Sequence, residues 1–255
     1  VLTAGGGQNT AAATNVSFDA PQQSGSGEAE NQMEGKTDTA EVTAASAQAG
    51  TADASRFVLP EEARVLVIVE GTGGSNCNVY AFERSSAAGA WEKRLETTGH
   101  LGMNGMSNRH SGDKTTPIGV FKMNTPFGQA KALEGFPSDY IQVDDTYVWE
   151  DDTNKMSRDL SKEGERVGSS GYAGYYDYAI DAGFNPNGIK NQGSALFLHC
   201  SGEFNEYTAS CVAIEKDQMA QIMKLYGKYG SGASFIAQAP KGTFEQIYNT
   251  YGTNQ

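Results

Sequence analysis

Two side chains able to perform nucleophilic chemistry stand in the last quarter of the chain. His199 closes the apolar run Ser194-Ala195-Leu196-Phe197-Leu198, and Cys211 sits between the small-residue stretch Thr208-Ala209-Ser210 and the apolar Val212-Ala213-Ile214. A thiol with a pKa of about 8.5 is mostly protonated at neutral pH, and a neighbouring imidazole that takes its proton makes the reactive thiolate. A strand end puts a side chain at the rim of a sheet. A tight turn of small residues leaves backbone N–H groups free to converge on one point, where they stabilise the oxyanion of a tetrahedral intermediate. These are the parts of covalent acyl transfer, with Cys211 as nucleophile and His199 as base. A packed core histidine and a buried cysteine leave the same trace, so spacing alone keeps both readings open.

Metal ligation by His199, Cys200 and Cys211 is a third reading. Adjacent strand residues point to opposite faces and a closed zinc site wants a fourth ligand, so Cys200 reads as a packed strand residue. Cys77 reads the same way, and three cysteines exclude a dense disulfide framework. His100 and His110 flank an Asn-Gly loop, with surface placement as the default and no partner in the sequence.

The surroundings of the pair narrow the choice. His199 followed by Thr208-Ala209-Ser210-Cys211-Val212-Ala213 resembles the signature of the L,D-transpeptidase catalytic domain (YkuD-like), in which an upstream His precedes a Ser/Thr-x-Gly-Cys turn. Gly102-Met103-Asn104-Gly105, then Gly112-Asp113-Lys114-Thr115-Thr116-Pro117-Ile118-Gly119-Val120-Phe121, then Phe127-Gly128 resemble further segments of that family in the expected order. The resemblance spans about residues 60–240.

It implies a mainly β, mixed sandwich- or barrel-like catalytic fold with a few short α-helices. It implies Cys211 as nucleophile, His199 as base oriented by the Cys200 main-chain carbonyl, and an oxyanion hole from the N–H groups of Ser210, Cys211 and Ala209. The implied donor is a peptidoglycan stem tetrapeptide that forms a thioester on Cys211 and passes to an amine, with no cofactor. Hydrolysis of the same thioester by an L,D-carboxypeptidase, and a silent wall-binding module, are the alternatives. Three departures stand out: Ser210 replaces the usual Gly, Ala209 replaces a second His, and no Arg follows the Cys, where Ala213 and Ile214 stand. Glycine tolerates positive φ and close backbone approach, so Ser210 is expected to strain or reshape the turn.

The elements that must position the pair are mostly strands. Short β-type runs occur at Val65 to Val69, Val79 to Phe82, Trp91 to Leu95, Ile118 to Met123, Ile141 to Val143, Thr146 to Trp149, Ala195 to His199 and Ala233 to Ala237. Met219, Ile222, Met223 and Tyr226 repeat at helical spacing, and so do Phe244, Ile247, Tyr248 and Tyr251, the latter with Thr243 and Gln246 in capping-box register. Residues 151–193, rich in Gly, Tyr, Ser and Asn, read as long loops whose tyrosines (Tyr172, Tyr175, Tyr176, Tyr178) line a cleft or pack on the sheet.

Residues 1–55 contain no Ile, Tyr, Trp, Arg or Cys and read as a disordered low-complexity tether, because so few apolar groups cannot offset the cost of ordering the backbone. Residues 56–255 read as one catalytic domain, expected to be monomeric. The net charge of −12 is shared, the tail holding seven acids against Lys36, so neither part invites nucleic acid. No run of about 20 apolar residues is present to span a membrane. Val1-Leu2-Thr3-Ala4-Gly5 reads like the end of a bacterial export signal, with a lipid or signal-derived anchor upstream of residue 1 and an extracytoplasmic, secreted or cell-surface location as the expectation.

Overall fold

The computed structural model of the chain describes residues 52–202 and 206–252. The tether read over residues 1–55 falls, up to residue 51, outside the described residues. In chain order the elements are β1 (Val65–Gly73), β2 (Asn76–Glu83), β3 (Glu92–His100), β4 (Met106–Ser107), β5 (Thr116–Pro117), β6 (Gly119–Lys122), β7 (Asn124–Gly128) and β8 (Ile141–Gln142). These are followed by β9 (Val148–Glu150), β10 (Met156–Ser157), β11 (Gly164–Glu165), β12 (Ala179–Asp181), β13 (Phe197–Cys200), β14 (Val212–Ile214), α1 (Lys216–Tyr229) and β15 (Ser234–Pro240).

Ten of the strands form one curled sheet in the order β6-β15-β1-β2-β3-β14-β13-β12-β7-β8, which makes the molecule mainly β as the strand spacing predicts. The unbroken aliphatic run Val65 to Val69 marks the strand covered on both faces. Leu66 and Ile68 enter a cluster with Phe235, Phe244 and Tyr248, and Val67 and Val69 enter another with Leu198, Ile214 and α1. Such a run needs apolar cover on both faces, and β1, paired in the sheet with β15 in parallel and β2 antiparallel, has it from α1 on one face and from Phe244, Ile247 and Tyr248 on the other.

Helix α1 forms where the 3.6-residue spacing places it. Its Met219, Ile222, Met223 and Tyr226 are buried against β13 and β14, each contributing roughly 1.5–3 kcal/mol of apolar burial. Asp217 in the first turn and Lys228 in the last suit the helix dipole, and Gly230 at φ 79° ends it, its N–H donating to the Tyr226 carbonyl. The second expected helix does not form. Phe244–Gln246 is a single 3₁₀ turn, and Thr243 Oγ donates back to the Pro240 carbonyl instead of capping. Between Gly242 and Gly252 the segment is too short to offset helix nucleation, while two turns already deliver Phe244, Ile247 and Tyr248 to the β1–β15 face.

The other face of β12–β13–β14 is covered by the small sheet β10-β9-β11 and by the loop through Tyr172 to Tyr178. Phe127, Trp149, Tyr176, Ala179 and Phe197 pack there around Cys211. Of the four tyrosines in that loop, Tyr176 belongs to this cluster, Tyr172 and Tyr175 pack at its edge, and Tyr178 turns to the α1 side.

Candidate functional site

Strands β13 and β14 run parallel with Leu198 beside Val212 and His199 beside Ala213. Extending that register by one residue sets Phe197 beside Cys211. Side chains alternate across a strand, so Phe197, His199 and Cys211 share one face, the one under β9 and β11, while Leu198, Cys200 and Ile214 share the face under α1. The expected nucleophile and base are therefore brought to one face of neighbouring strands, diagonal to one another. Cys200 points away, as a packed strand residue.

Both groups are buried and both rest neutral. His199 Nδ1 lies 2.8 Å from the Cys200 carbonyl. A carbonyl only accepts, so in neutral His199 the proton sits on Nδ1 and Nε2 keeps its lone pair. Burial lowers the His199 pKa to about 4, although the Cys200 and Tyr175 carbonyls beside the ring act to raise it. Burial likewise pushes the Cys211 thiol up to about 12, helped by the charge of Glu165 and opposed by the Phe197 N–H and Arg109. The Phe197 N–H donates to Cys211 Sγ over 3.3 Å, and the thiol donates to the Ala195 carbonyl at 3.4 Å. A thiol beside an imidazole is expected from the sequence to form a thiolate–imidazolium pair. The folded site instead holds a protonated thiol and a neutral imidazole.

The turn before Cys211 is held by its carbonyls. Thr116 Oγ donates to the Ser210 carbonyl (2.8 Å) while accepting the Gly102 N–H (2.9 Å), and Thr208 Oγ donates to the Cys211 carbonyl (2.7 Å). Peptide planarity directs the Cys211 N–H opposite to the Ser210 carbonyl. Among the described residues the N–H groups of Ala209, Ser210 and Cys211 donate to no acceptor. The Gly102 and Thr115-Thr116-Pro117 segments thus act as the clamp on the turn, the Gly102 loop through its bridge to Thr208 and Thr116 through its hydroxyl.

Ser210 corrects an expectation. It is not among the residues with positive φ, so replacing glycine costs no left-handed strain here. Its hydroxyl instead accepts from Arg109 and donates to the Ala209 carbonyl. Arg109 was not singled out in the sequence, where it lies in a small polar loop that reads as surface. Its side chain is nevertheless only 7% exposed and pairs with Asp113 at 3.3 Å, and its Nη1 donates to the Thr115 carbonyl at 3.1 Å. A guanidinium is therefore present beside the turn although no Arg follows Cys211 in the chain. The only sequence signal was a lone Arg next to the Gly112-Asp113 segment.

Glu165 was also missed. It pairs with Trp149 across β11 and β9, so the two share a face and reach toward the Cys211 side of the sheet. Tyr176 donates to Glu165, stacks on Tyr172 at 4.7 Å and sets its ring edge-on to His199 at 5.2 Å. Glu165 keeps part of its surface exposed, yet burial of its carboxyl pushes its pKa up to about 7.

The other histidines separate. His110 is exposed beside Asp113. His100 lines a groove of about 750 Å³ with Asn78, Thr98, Ser201 and Glu215. Neither Cys211 nor His199 lines that groove, although Ala213, the register partner of His199, does. Among the described residues no helix is long and apolar enough to cross a membrane.

No family model and no curated protein matches the chain. Among solved structures it is similar to the helical cell shape determining protein Pgp2 from Campylobacter jejuni, at 15% identity and a TM-score of 0.40, covering 70% of this chain and 48% of that one. A mutant of the same protein gives 16% identity and a TM-score of 0.40, and Bd1075 of Bdellovibrio bacteriovorus gives 14% and 0.36, covering 69% of this chain and 47% of that one. The chain thus spans about half the length of these proteins.

Proposed function

We propose that the chain is a cysteine-dependent L,D-transpeptidase that acts on peptidoglycan stem peptides outside the cytoplasm. The observation that supports this reading is the shared face of Cys211 and His199, with His199 Nδ1 committed to the Cys200 carbonyl and the amides of the turn uncommitted. In this reading the donor carbonyl lies over the turn. Nε2 of His199 takes the thiol proton as Sγ attacks the carbonyl carbon, and the negative oxygen is held by the N–H groups of Ser210, Cys211 and Ala209. Collapse breaks the bond to the terminal D-Ala, whose nitrogen takes the proton from His199. An amine then attacks the thioester and releases the thiol.

Intact-mass measurement after incubation with a carbapenem or a stem tetrapeptide tests this. Wild type is expected to gain a covalent adduct that Cys211→Ala lacks, and His199→Ala is expected to slow acylation by roughly 10²–10⁴-fold. No adduct in wild type removes the enzyme reading in favour of a wall-binding module. An adduct resolved by water alone, with added D-amino acids never incorporated, makes the protein an L,D-carboxypeptidase.

A further inference from the structure

The groove of about 750 Å³ over β2, β3 and β14 takes no part in the chemistry proposed for Cys211. Its floor is set by register. Asn76 pairs with His100 and Asn78 with Thr98, so the four side chains form a two-by-two array on one face, about 5 Å apart across the strands and about 7 Å along them. His100 pairs in turn with Ala213, and Ala213 with His199, so this face continues to the candidate base across one small residue. Cys77 and Ile214 border the groove but turn their side chains into the α1 cluster, which leaves Ala213 as the one apolar side chain among the described lining residues. The polar groups are largely uncommitted. Among the described residues the side chains of Thr72, Asn76 and Thr98 form no hydrogen bond, and His100 Nδ1 is buried with no partner. Asn78 Nδ2 is held over 3.4 Å by Glu70, a fully buried carboxylate, and its Oδ1 is left for the groove.

We infer that this groove binds a neutral saccharide, with Asn76, Thr98 and His100 hydrogen-bonding the hydroxyls of one sugar ring. Each sugar hydroxyl both donates and accepts, as an array of amide, hydroxyl and imidazole groups requires. An apolar ligand leaves His100 Nδ1 and the amides unpaired, which is costly. An anion meets Glu206 and Glu215 and finds no Lys or Arg in the lining. Both carboxylates are exposed, so a lone cation held by them stays in water, where such a pair is worth little. A peptide brings side chains that need apolar pockets, and the array offers none. With no aromatic ring among the described lining residues, hydrogen bonds alone carry recognition, and the expected affinity is millimolar.

The site is independent of the thiol chemistry, and the experiment measures binding. The full isotope-labelled chain is titrated with chitotriose and with cellotriose, and amide and imidazole resonances are followed by NMR. Saturable shifts are expected at Asn76, Thr98 and His100, the His100 Nδ1 resonance included. High salt is expected to leave the affinity unchanged, since the ligand carries no charge. Asn76→Ala and Thr98→Val should each weaken binding by about fivefold, the equivalent of one net hydrogen bond, with the melting midpoint and the labelling of Cys211 by iodoacetamide as in wild type. Saturation by neither sugar up to tens of millimolar, shifts confined to other faces, affinity unchanged in both variants, or an equal response to an uncharged, end-blocked alanine tetrapeptide overturns the site. Sugar binding together with no covalent adduct in wild type keeps the site and removes the transpeptidase reading.

Discussion

Asn154 is the residue on which the surroundings of the thiol depend most heavily for their polar contacts. Its Oδ1 accepts from Trp149 Nε1 (2.6 Å) and from the Ala195 N–H (3.0 Å), and its Nδ2 donates to the Phe184 and Asn185 carbonyls, both at 2.9 Å. It is buried and adopts φ 52°, a conformation asparagine tolerates better than alanine. Asn154→Ala strands two buried donors at about 1–3 kcal/mol each, and the left-handed backbone adds about 1 kcal/mol. The expected loss is about 4 kcal/mol. Asn154→Gly removes the backbone penalty and keeps the stranded donors, so it should lose about 3 kcal/mol. Urea unfolding followed by tryptophan fluorescence reads both, since Trp149 is buried. In a double-mutant cycle Trp149→Phe should cost less on the Asn154→Ala background than alone, the difference being about 1 kcal/mol or more. A loss below about 1 kcal/mol for Asn154→Ala, or a glycine variant less stable than the alanine one, refutes this account. Because the Ala195 carbonyl accepts from the thiol, Asn154→Ala should also speed labelling of Cys211 by iodoacetamide, read by peptide mapping.

Three further outcomes are expected. Gly128→Ala should destabilise the fold by at least about 3 kcal/mol, because its Cβ would lie 2.1 Å from the Asp177 carbonyl oxygen, a backbone atom that cannot yield; a wild-type melting midpoint counts against this. Glu83, held down to about 2 from its ordinary 4.5 chiefly by Lys228 and then by Tyr229 and Arg94, contributes stability that is full above pH 4.5 and lost as pH falls through 2. The urea midpoints of wild type and Glu83→Gln should therefore differ at pH 7 and converge toward pH 2, and a gap that stays constant over that window refutes the assignment. Ser210→Gly should slow acylation by roughly tenfold, the equivalent of about 1.5 kcal/mol for a charge-assisted hydrogen bond, because it removes the Arg109 contact and relieves no backbone strain. Faster acylation in that variant restores the strain account.

Much of the fold is written in local pattern. The aliphatic run at Val65 to Val69 could only be a strand covered on both faces, and the spacing of Met219, Ile222, Met223 and Tyr226 could only bury one side of a helix. The same pattern misled at Phe244 to Tyr251, since turns and a helix present i, i+3 and i+4 residues alike, and chain length between two glycines decided against the helix. Ala195 reads as the start of a strand. It takes φ 54° instead because Asn154, forty-one residues earlier, captures its N–H, and β13 begins at Phe197.

For the candidate site the sequence by itself determined the reactive types, Cys211 and His199, and the small residues between Thr208 and Cys211, because a thiol, an imidazole and a tight turn are local properties. Their neighbours were decided by tertiary structure alone. The parallel register of β13 and β14 sets the pair on one face, the clamp by Thr116 and Thr208 turns the amides outward, and Arg109 and Glu165 arrive from loops and strands far along the chain. No periodicity records such meetings. The protonation of the pair is likewise a product of folding, since a buried charge is costly whatever its neighbours in sequence, and burial is what moves Cys211 to about 12 and His199 to about 4.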